Sequence, residues 1–363
     1  MKVMSIFGTR PEIIRLSRIF PLLDKNFDHV MVNTNQNFTK ELSSIFIKEL
    51  NLRKPDYNLK IKTDNYGNEI SDVIKTSEKI LLKEKPDVLL ILGDTNSGLS
   101  AIPAAHHGIN IVHLEAGMRA YDSRMPEEKN RVLIDHLSTV LLPYTNYSRE
   151  NLIRENIHPS KIYVVGNPII EVINYFTPQI EKSNILSHMK LKPNDFFLVT
   201  AHRSENVDNK QQLQTIFSSL EKIHKKFKKR IIYPMHPRTA SKIKKNSIPN
   251  GIEIIKPIGF FDFTKLEKNA MCCITDSGTI PEETLYFKKP CVTIRETTER
   301  PETIEAGSNI LAGLNVENIF NSVKQMTSNK PEWTWDPSLG DGKTALRVAN
   351  ILRSKLERRK FHL

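Results

Sequence analysis

The chain lacks the features that would send it to a membrane, to an oxidising compartment or to a metal. No apolar run reaches the length of a bilayer span, and the apolar stretch Val3–Phe7 is too short for the core of a secretory leader, so a cytoplasmic protein with no membrane partner is expected. Only three cysteines occur, Cys272, Cys273 and Cys291, all in apolar strand-like segments without ligand spacing. Reduced core residues are the expectation, with no disulfide and no metal site. A net charge of +12 is not accompanied by any aromatic-and-basic interleaving or nucleic-acid motif; the lysines gather in Glu221–Arg230, Ser241–Asn246 and Arg353–Lys360, which read as polar faces and ends of helices. Nucleic acid is therefore not the expected partner, although the excess charge suits steering of a small polyanion. With 39% hydrophobic and 26% charged residues, the composition is that of an ordinary globular protein, and 363 residues exceed one typical core, which points to two domains.

What is present is a repeated strand, turn and helix. Lys2–Phe7 is an apolar strand that runs into Gly8-Thr9-Arg10-Pro11-Glu12, where Pro11 suits the first turn of a helix and Arg10 and Arg15 flank the turn. Val30–Asn33 follows as a strand, then amphipathic helices over Thr39–Leu50 and Glu69–Lys83 on either side of a polar connection. Pro86–Gly93 is apolar almost throughout, as expected of a strand buried on both faces of a parallel sheet, and it ends at Asp94. Ile109–Leu114 ends at Glu115, and Pro126 opens a helix that carries Glu127 in its first turn. Ligands of open α/β sheets bind at the carboxyl ends of the strands. Any one of these acids reads equally as a helix cap or a salt bridge, but three at one sheet edge point to a site. Val140–Pro143 and Ile162–Val165 read as further strands, and Gly166-Asn167-Pro168 as a domain hinge.

The alternation then restarts with Phe196–Thr200, a helix over Leu213–Phe227, Arg230–Tyr233, Ile252–Ile255, a helix over Phe260–Asn269, Met271–Thr275 and Pro290–Ile294. The stretch Met271–Phe287 organises this half. A short strand ends at Asp276-Ser277-Gly278-Thr279, after which Pro281 fits a first helical turn and Glu282-Glu283 suit its positive end. Free backbone N–H groups, the Ser277 hydroxyl and the small Gly278 would hold a phosphate there. An ordinary capped helix explains the turn equally well, but Arg295 and Arg300 follow the next strand and suit two-point grips on phosphate. The Glu and Arg residues of that segment would also suit a self-satisfied salt-bridge cluster. Two βαβ series of similar length imply an α/β protein of two Rossmann-like domains facing across a cleft, 1–168 and 169–340, with a helix in 341–363 packing back on the first.

Seven phrases carry a family resemblance: GTRPE at Gly8–Glu12, GDTNS at Gly93–Ser97, HLEAGMR at His113–Arg119, PEEKNR at Pro126–Arg131, AHRSEN at Ala201–Asn206, DSGTIPEE at Asp276–Glu283 and TTERPE at Thr297–Glu302. In this order they resemble the non-hydrolysing UDP-N-acetylglucosamine 2-epimerases over nearly the whole chain. The resemblance implies a GT-B fold, a homodimer, no cofactor, UDP held mainly by the C-terminal domain and the sugar facing the N-terminal one. Arg10, His202, Ser277, Gly278, Glu283 and Arg300 take the positions of the UDP-binding set, with Phe263 beside the uracil, Glu283 accepting the ribose hydroxyls and Arg10 and Arg300 on the diphosphate. Asp94, Glu115 and Glu127 take the positions of the acids around the sugar, and His202 joins them in the catalytic set by its grip on departing UDP. Arg15 stands where many members have Lys, and Thr279 where many have Gly. GTRPEIIRLS, MPEEKNR and DSGTIPEE are similar to the branch acting on modified sugars such as UDP-2,3-diacetamido-2,3-dideoxy-glucuronate or UDP-6-deoxy-N-acetylhexosamines. The Gln-His stretch that bacterial members use to bind substrate allosterically is replaced by Asn35-Gln36-Asn37-Phe38, so that activation is not carried over. A glycosyltransferase of the same fold is the rival expectation, and a nucleic-acid-binding protein the more distant one.

Overall fold

The computed structural model describes residues 1–35, 40–62, 65–235, 237–240, 243, 248–328 and 331–356. Gln36, Asn37 and Phe38, most of Ser241–Asn246 and the end of the expected 341–363 helix lie outside the described residues. Contacts divide the chain into two compact units, Met1–Tyr175 with the return stretch from Asp336, and Phe176–Trp335. The division falls within the helix Pro168–Lys182, later than the expected 168/169. Pro168 opens that helix instead of closing a domain, because a proline fits a first helical turn, where the missing N–H has no partner to lose.

The first unit is a six-stranded sheet, parallel throughout, of β1 (Lys2–Phe7), β2 (Asp28–Asn33), β3 (Tyr57–Asn58), β4 (Val88–Leu92), β5 (Asn110–Leu114) and β6 (Val140–Leu142), in the order β3-β2-β1-β4-β5-β6. β4 is buried at every residue, in keeping with its unbroken VLLIL run. Ile162–Val165 is not a strand. Ile162 makes a single bridge to Leu141, and Tyr163 N and Val165 N donate to the carbonyls of Leu141 and Pro143 at 2.9 and 3.0 Å before Gly166, at φ +83°, turns the chain away. Tyr57–Asn58, in the segment read as a polar connection, adds an edge strand too short to show a pattern. The return stretch forms the helix Thr344–Lys355, which buries Ala345, Val348 and Leu352 and touches Phe20–Asn26. It is pinned by Thr344 Oγ1 donating to Val165 O and by Ala345 N donating to Glu171 Oε2, 3.1 and 2.8 Å. Asp341 lies ahead of this helix, pairing with Arg347 at 2.7 Å.

The second unit repeats the plan with β7 (Phe196–Thr200), β8 (Arg230–Pro234), β9 (Ile252–Ile255), β10 (Cys272–Thr275), β11 (Cys291–Thr293) and β12 (Asn309–Leu311), parallel and ordered β12-β11-β10-β7-β8-β9. Alternate side chains feed two apolar layers: Phe197, Val199, Ile231, Cys272 and Ile274 on one face, Phe196, Leu198, Ile232, Cys273 and Cys291 on the other. All three cysteines are buried in strands, and burial pushes their thiols up. Among the described residues no helix is long and apolar enough to cross a membrane.

Each sheet reverses its strand order once, between β1 and β4 and between β7 and β10, and ligand crevices of such sheets open at these points. Gly117, just past β5, shows how tightly that edge is built. At φ +78° it occupies the left-handed region, and a Cβ there would lie 2.2 Å from Ser148 O and 2.7 Å from Leu152 Cγ. Gly117→Ala is expected to destabilise the first unit by more than the ~1–3 kcal/mol of backbone strain alone, read as a lowered urea midpoint.

Candidate functional site

At the switch point of the second unit, β10 ends in a turn framed by Asp276, which has no exposed surface. Its carboxylate accepts the backbone N–H groups of His202 and Arg203 and the side-chain amide of Asn206, each at 3.0 Å to Oδ2, while its carbonyl accepts Arg203 Nε at 3.0 Å. One buried charge thus fastens the end of β7 to the end of β10. Thr200 and Thr275 hydroxyls meet at 2.6 Å beneath it, Ser277 N donates to Thr275 Oγ1 at 2.9 Å, and Thr279 N donates to Ser277 Oγ at 3.2 Å. The helix Ile280–Tyr286 starts here with Pro281 in its first turn. The His202 ring is left 47% exposed, with Nδ1 3.5 Å from Asp276 Oδ1.

The expected arginines do reach this edge, and they arrive with carboxylate partners. Arg295 grips Glu299 with two bonds of 2.9 and 3.0 Å, Arg203 Nη2 lies 3.8 Å from the same acid, and Arg300 Nε lies 2.9 Å from Glu282 Oε1. Burial works to raise the Glu299 carboxyl, but the Arg295 guanidinium overrides it and holds the acid well below the usual carboxylate range. A Cβ on Gly278 would lie 3.5 Å from Glu299 Oε2, which places this pair against the turn. The segment thus forms the salt-bridge cluster, and its carboxylates orient guanidinium groups that stand at the turn. Glu283 is buried in the helix start, and Phe263 is half-buried in the apolar layer with Leu266, Ala270 and Ile280.

At the switch point of the first unit, Glu12 ties the turn after β1. It accepts Gly8 N and Thr9 N at 3.1 and 2.7 Å, Thr9 Oγ1 at 2.6 Å and, from the turn after β4, Thr95 Oγ1 at 3.2 Å. Arg10 is exposed, its guanidinium 5.7 Å from the Phe46 ring centroid. Arg15 is buried with Nε 3.8 Å from Glu115 Oε2, and Glu115 itself is buried at φ +74°, a backbone geometry rare for a residue with a side chain. Gly93 N donates to Leu114 O at 2.9 Å, and a Cβ on Gly93 would come within 3.8 Å of Glu115 Oε1, so Asp94 and Glu115 leave neighbouring strands at one level. Asp94 remains partly exposed and pairs with Arg131, whose other nitrogen donates to Glu128 at 2.9 Å. Glu127 is half-exposed in the first turn of Pro126–Leu137. Its neighbour Glu128 is the buried one, accepting Ala120 N and Tyr121 N at 3.0 Å each.

Behind this edge, His113 bridges Asp135 at 2.7 Å and the Gly93 carbonyl at 2.9 Å, and Arg119 Nη2 reaches Asp135 Oδ2 at 2.7 Å. Burial raises the Asp135 carboxyl, but His113 and Arg119 outweigh it and hold the group below its ordinary range. Asp276, Glu12, Glu128, Arg131 and Asp135 are the structural residues that sequence reasoning missed. Glu12 carried a readable signal in the Thr9-x-x-Glu12 capping-box spacing, and Asp276 in its place at a strand end, although its role as a buried tie did not show. Among the described residues no His, Cys, Asp and Glu group is arranged to hold a metal ion.

Comparison with known proteins bears on what these two edges do. A family model described as UDP-N-acetylglucosamine 2-epimerase matches residues 23–353. The chain is 42% identical to a UDP-N-acetylglucosamine 2-epimerase of Methanococcus maripaludis over 97% of this chain and 98% of that one. It is 33% identical to a UDP-2,3-diacetamido-2,3-dideoxy-D-glucuronate 2-epimerase of Pseudomonas aeruginosa over 97% and 99%. The crystal structure of the Methanocaldococcus jannaschii UDP-GlcNAc 2-epimerase in complex with UDP-GlcNAc and UDP is similar, with a TM-score of 0.92, 42% identity and coverage of 97% of this chain and 99% of that one.

Glu12 yields a test independent of ligand. Burial pushes its carboxyl from 4.5 up to about 7, against the pull of its donors. A carboxyl raised in the folded state stabilises the fold fully below its ordinary value and loses that contribution as pH climbs through about 7. Wild type is therefore expected to lose more stability across this window than Glu12→Gln, measured by urea unfolding at both ends. Glu12→Ala strands the Gly8 and Thr9 N–H groups and is expected to cost about 1–3 kcal/mol at any pH.

Proposed function

Because the chain belongs to the UDP-N-acetylglucosamine 2-epimerase family, we propose that it inverts C2 of a UDP-N-acetylhexosamine, converting UDP-GlcNAc to UDP-ManNAc, as a cytoplasmic homodimer that supplies surface polysaccharide synthesis. The observation that carries this is the Asp276-framed turn at the switch point of the second unit, with Ser277, Gly278, His202, Arg295 and Arg300 gathered on it. The greater identity to the M. maripaludis enzyme than to the diacetamido-glucuronate enzyme favours the unmodified hexosamine over a modified sugar.

The chemistry follows from the substrate. C2 of such a sugar bears an N-acetyl group and no adjacent carbonyl, so its hydrogen is not acidic enough for simple removal and return. Elimination avoids the difficulty. The C1–O bond breaks with its electron pair leaving on UDP, the C2 proton passes to a carboxylate, and a 2-acetamidoglycal results. Protonation of C2 from the other face and return of UDP oxygen to C1 complete the inversion. In this scheme Arg10, Arg300, His202, Ser277 and Gly278 hold the diphosphate as its charge grows, Arg15 joins the substrate-binding set, Glu283 holds the ribose, Phe263 supports the uracil, and Asp94, Glu115 and Glu127 carry the protons.

Turnover in deuterated water, followed by NMR, is expected to place deuterium at C2 of the product. Protium retained at C2 during inversion would overturn the elimination. Asp94→Asn, Glu115→Gln and Glu127→Gln remove basicity at nearly constant size, and at least two of the three are expected to lose roughly 10²–10⁴ in turnover while still binding UDP. A glycosyltransferase would leave the nucleotide sugar unchanged until an acceptor was added.

A further inference from the structure

Glu267 is an acid of the second unit that the scheme above leaves unused. It lies on the inward face of the helix Phe260–Asn269 with Phe260, Thr264 and Leu266, has no exposed surface, and sits at the apolar layer that holds Ala270, Cys273, Ile280 and Cys291. No hydrogen-bond donor among the described residues reaches either of its carboxyl oxygens. Glu283, from the helix Ile280–Tyr286, meets it within hydrogen-bonding reach, and the other ionisable groups facing it are the thiols of Cys273 on β10 and Cys291 on β11, which burial keeps protonated.

Two ionised carboxylates in contact offer lone pairs and no hydrogen, and in an enclosed apolar layer their repulsion is scarcely screened. One proton between them turns the contact into a carboxyl-to-carboxylate hydrogen bond, among the stronger kinds. Burial and Glu283 both push the Glu267 carboxyl well above its ordinary value. Glu267 is the fully enclosed partner, whereas Glu283 keeps 7% of its surface in the helix Ile280–Tyr286, so the proton belongs on Glu267 and the charge on Glu283.

We propose that Glu267 is a positioning residue for the nucleotide: its carboxyl hydrogen, donated to Glu283, fixes that side chain and leaves it the anion that accepts the ribose hydroxyls. This rests on the assignment of Glu283 to the ribose. Loss of the Glu267 proton puts a like charge behind Glu283 and releases it, so UDP affinity falls on the alkaline side through a group that never touches the ligand.

The test is calorimetric titration of the full-length protein with UDP from neutral to alkaline pH, for wild type, Glu267→Gln and Glu267→Met. Gln keeps a hydrogen donor that does not titrate, and Met keeps volume without a donor. Wild type is expected to lose affinity as pH rises, Glu267→Gln to bind within about threefold of wild type at neutral pH without that loss, and Glu267→Met to bind about tenfold or more weaker at neutral pH. Any pH dependence of the ligand itself is common to all three proteins and cancels in the comparison. Coincident pH profiles for wild type and Glu267→Gln, or a Gln variant as weak as Met, would overturn the proposal, and the first comparison stands even if the Met variant fails to fold. Glu283→Ala separates the two levels. Unchanged UDP binding in that variant would remove the ribose assignment and the proposal with it, whereas lost binding beside a pH-silent Glu267 would overturn the proposal alone.

Discussion

Three N–H donors from the end of β7 converge on Asp276, a carboxylate with no exposed surface at the end of β10. Burying a charge is tolerable only when hydrogen bonds replace its water, and here the replacements come from the backbone of His202 and Arg203 and the amide of Asn206. The consequence is geometric. The two strands that flank the switch point cannot separate or slide without stranding that charge, so the Ser277 hydroxyl, the small Gly278 and the half-exposed His202 ring are held in fixed relation above them. The first unit uses the same device, with Glu12 joining the turns after β1 and β4 and Asp135 joining Gly117, His113 and Arg119.

The groups proposed for the ligand and those that build the frame are of the same chemical type, and for neighbouring acids such as Glu127 and Glu128 burial tells them apart. Glu128 is enclosed and spends its oxygens on the Ala120–Tyr121 backbone, while Glu127, one residue earlier on the same helix turn, stays half-exposed. Arg131 is enclosed and orients the partly exposed Asp94. Arg295 is locked to Glu299, which positions a cation beside Gly278 without leaving its charge uncompensated in the absence of a phosphate. The site proposed here would be organised before its substrate arrives, which is what an enzyme that must hold a departing diphosphate requires.

The strands were legible because both sheets are parallel and covered on both faces, so β4 and β10 appear as unbroken apolar runs that stop at Asp94 and Asp276. The strand-end positions followed at once. Elements without a full apolar run were not legible: Ile162–Val165 looks like a strand but makes one bridge, and Tyr57–Asn58 joins the sheet with no pattern at all. Division of labour among neighbouring acids was equally hidden, since Glu127 and Glu128 are identical in sequence terms and only the fold of the 120–121 loop decides which is buried. Glu267 falls in the expected helix over Phe260–Asn269 without any signal of its own, and its burial against Glu283 depends on two strands contributed from elsewhere in the chain.

If the Asp276 frame makes the anion site, its charge must matter to the nucleotide it never touches. Titration of UDP into folded Asp276→Asn protein tests this most directly, because Asn keeps the size but replaces one acceptor oxygen with a donor that faces N–H groups. The expected result is a protein that retains its fold at a cost of about 1–3 kcal/mol and binds UDP about tenfold or more weakly. Wild-type affinity in that variant would contradict the account.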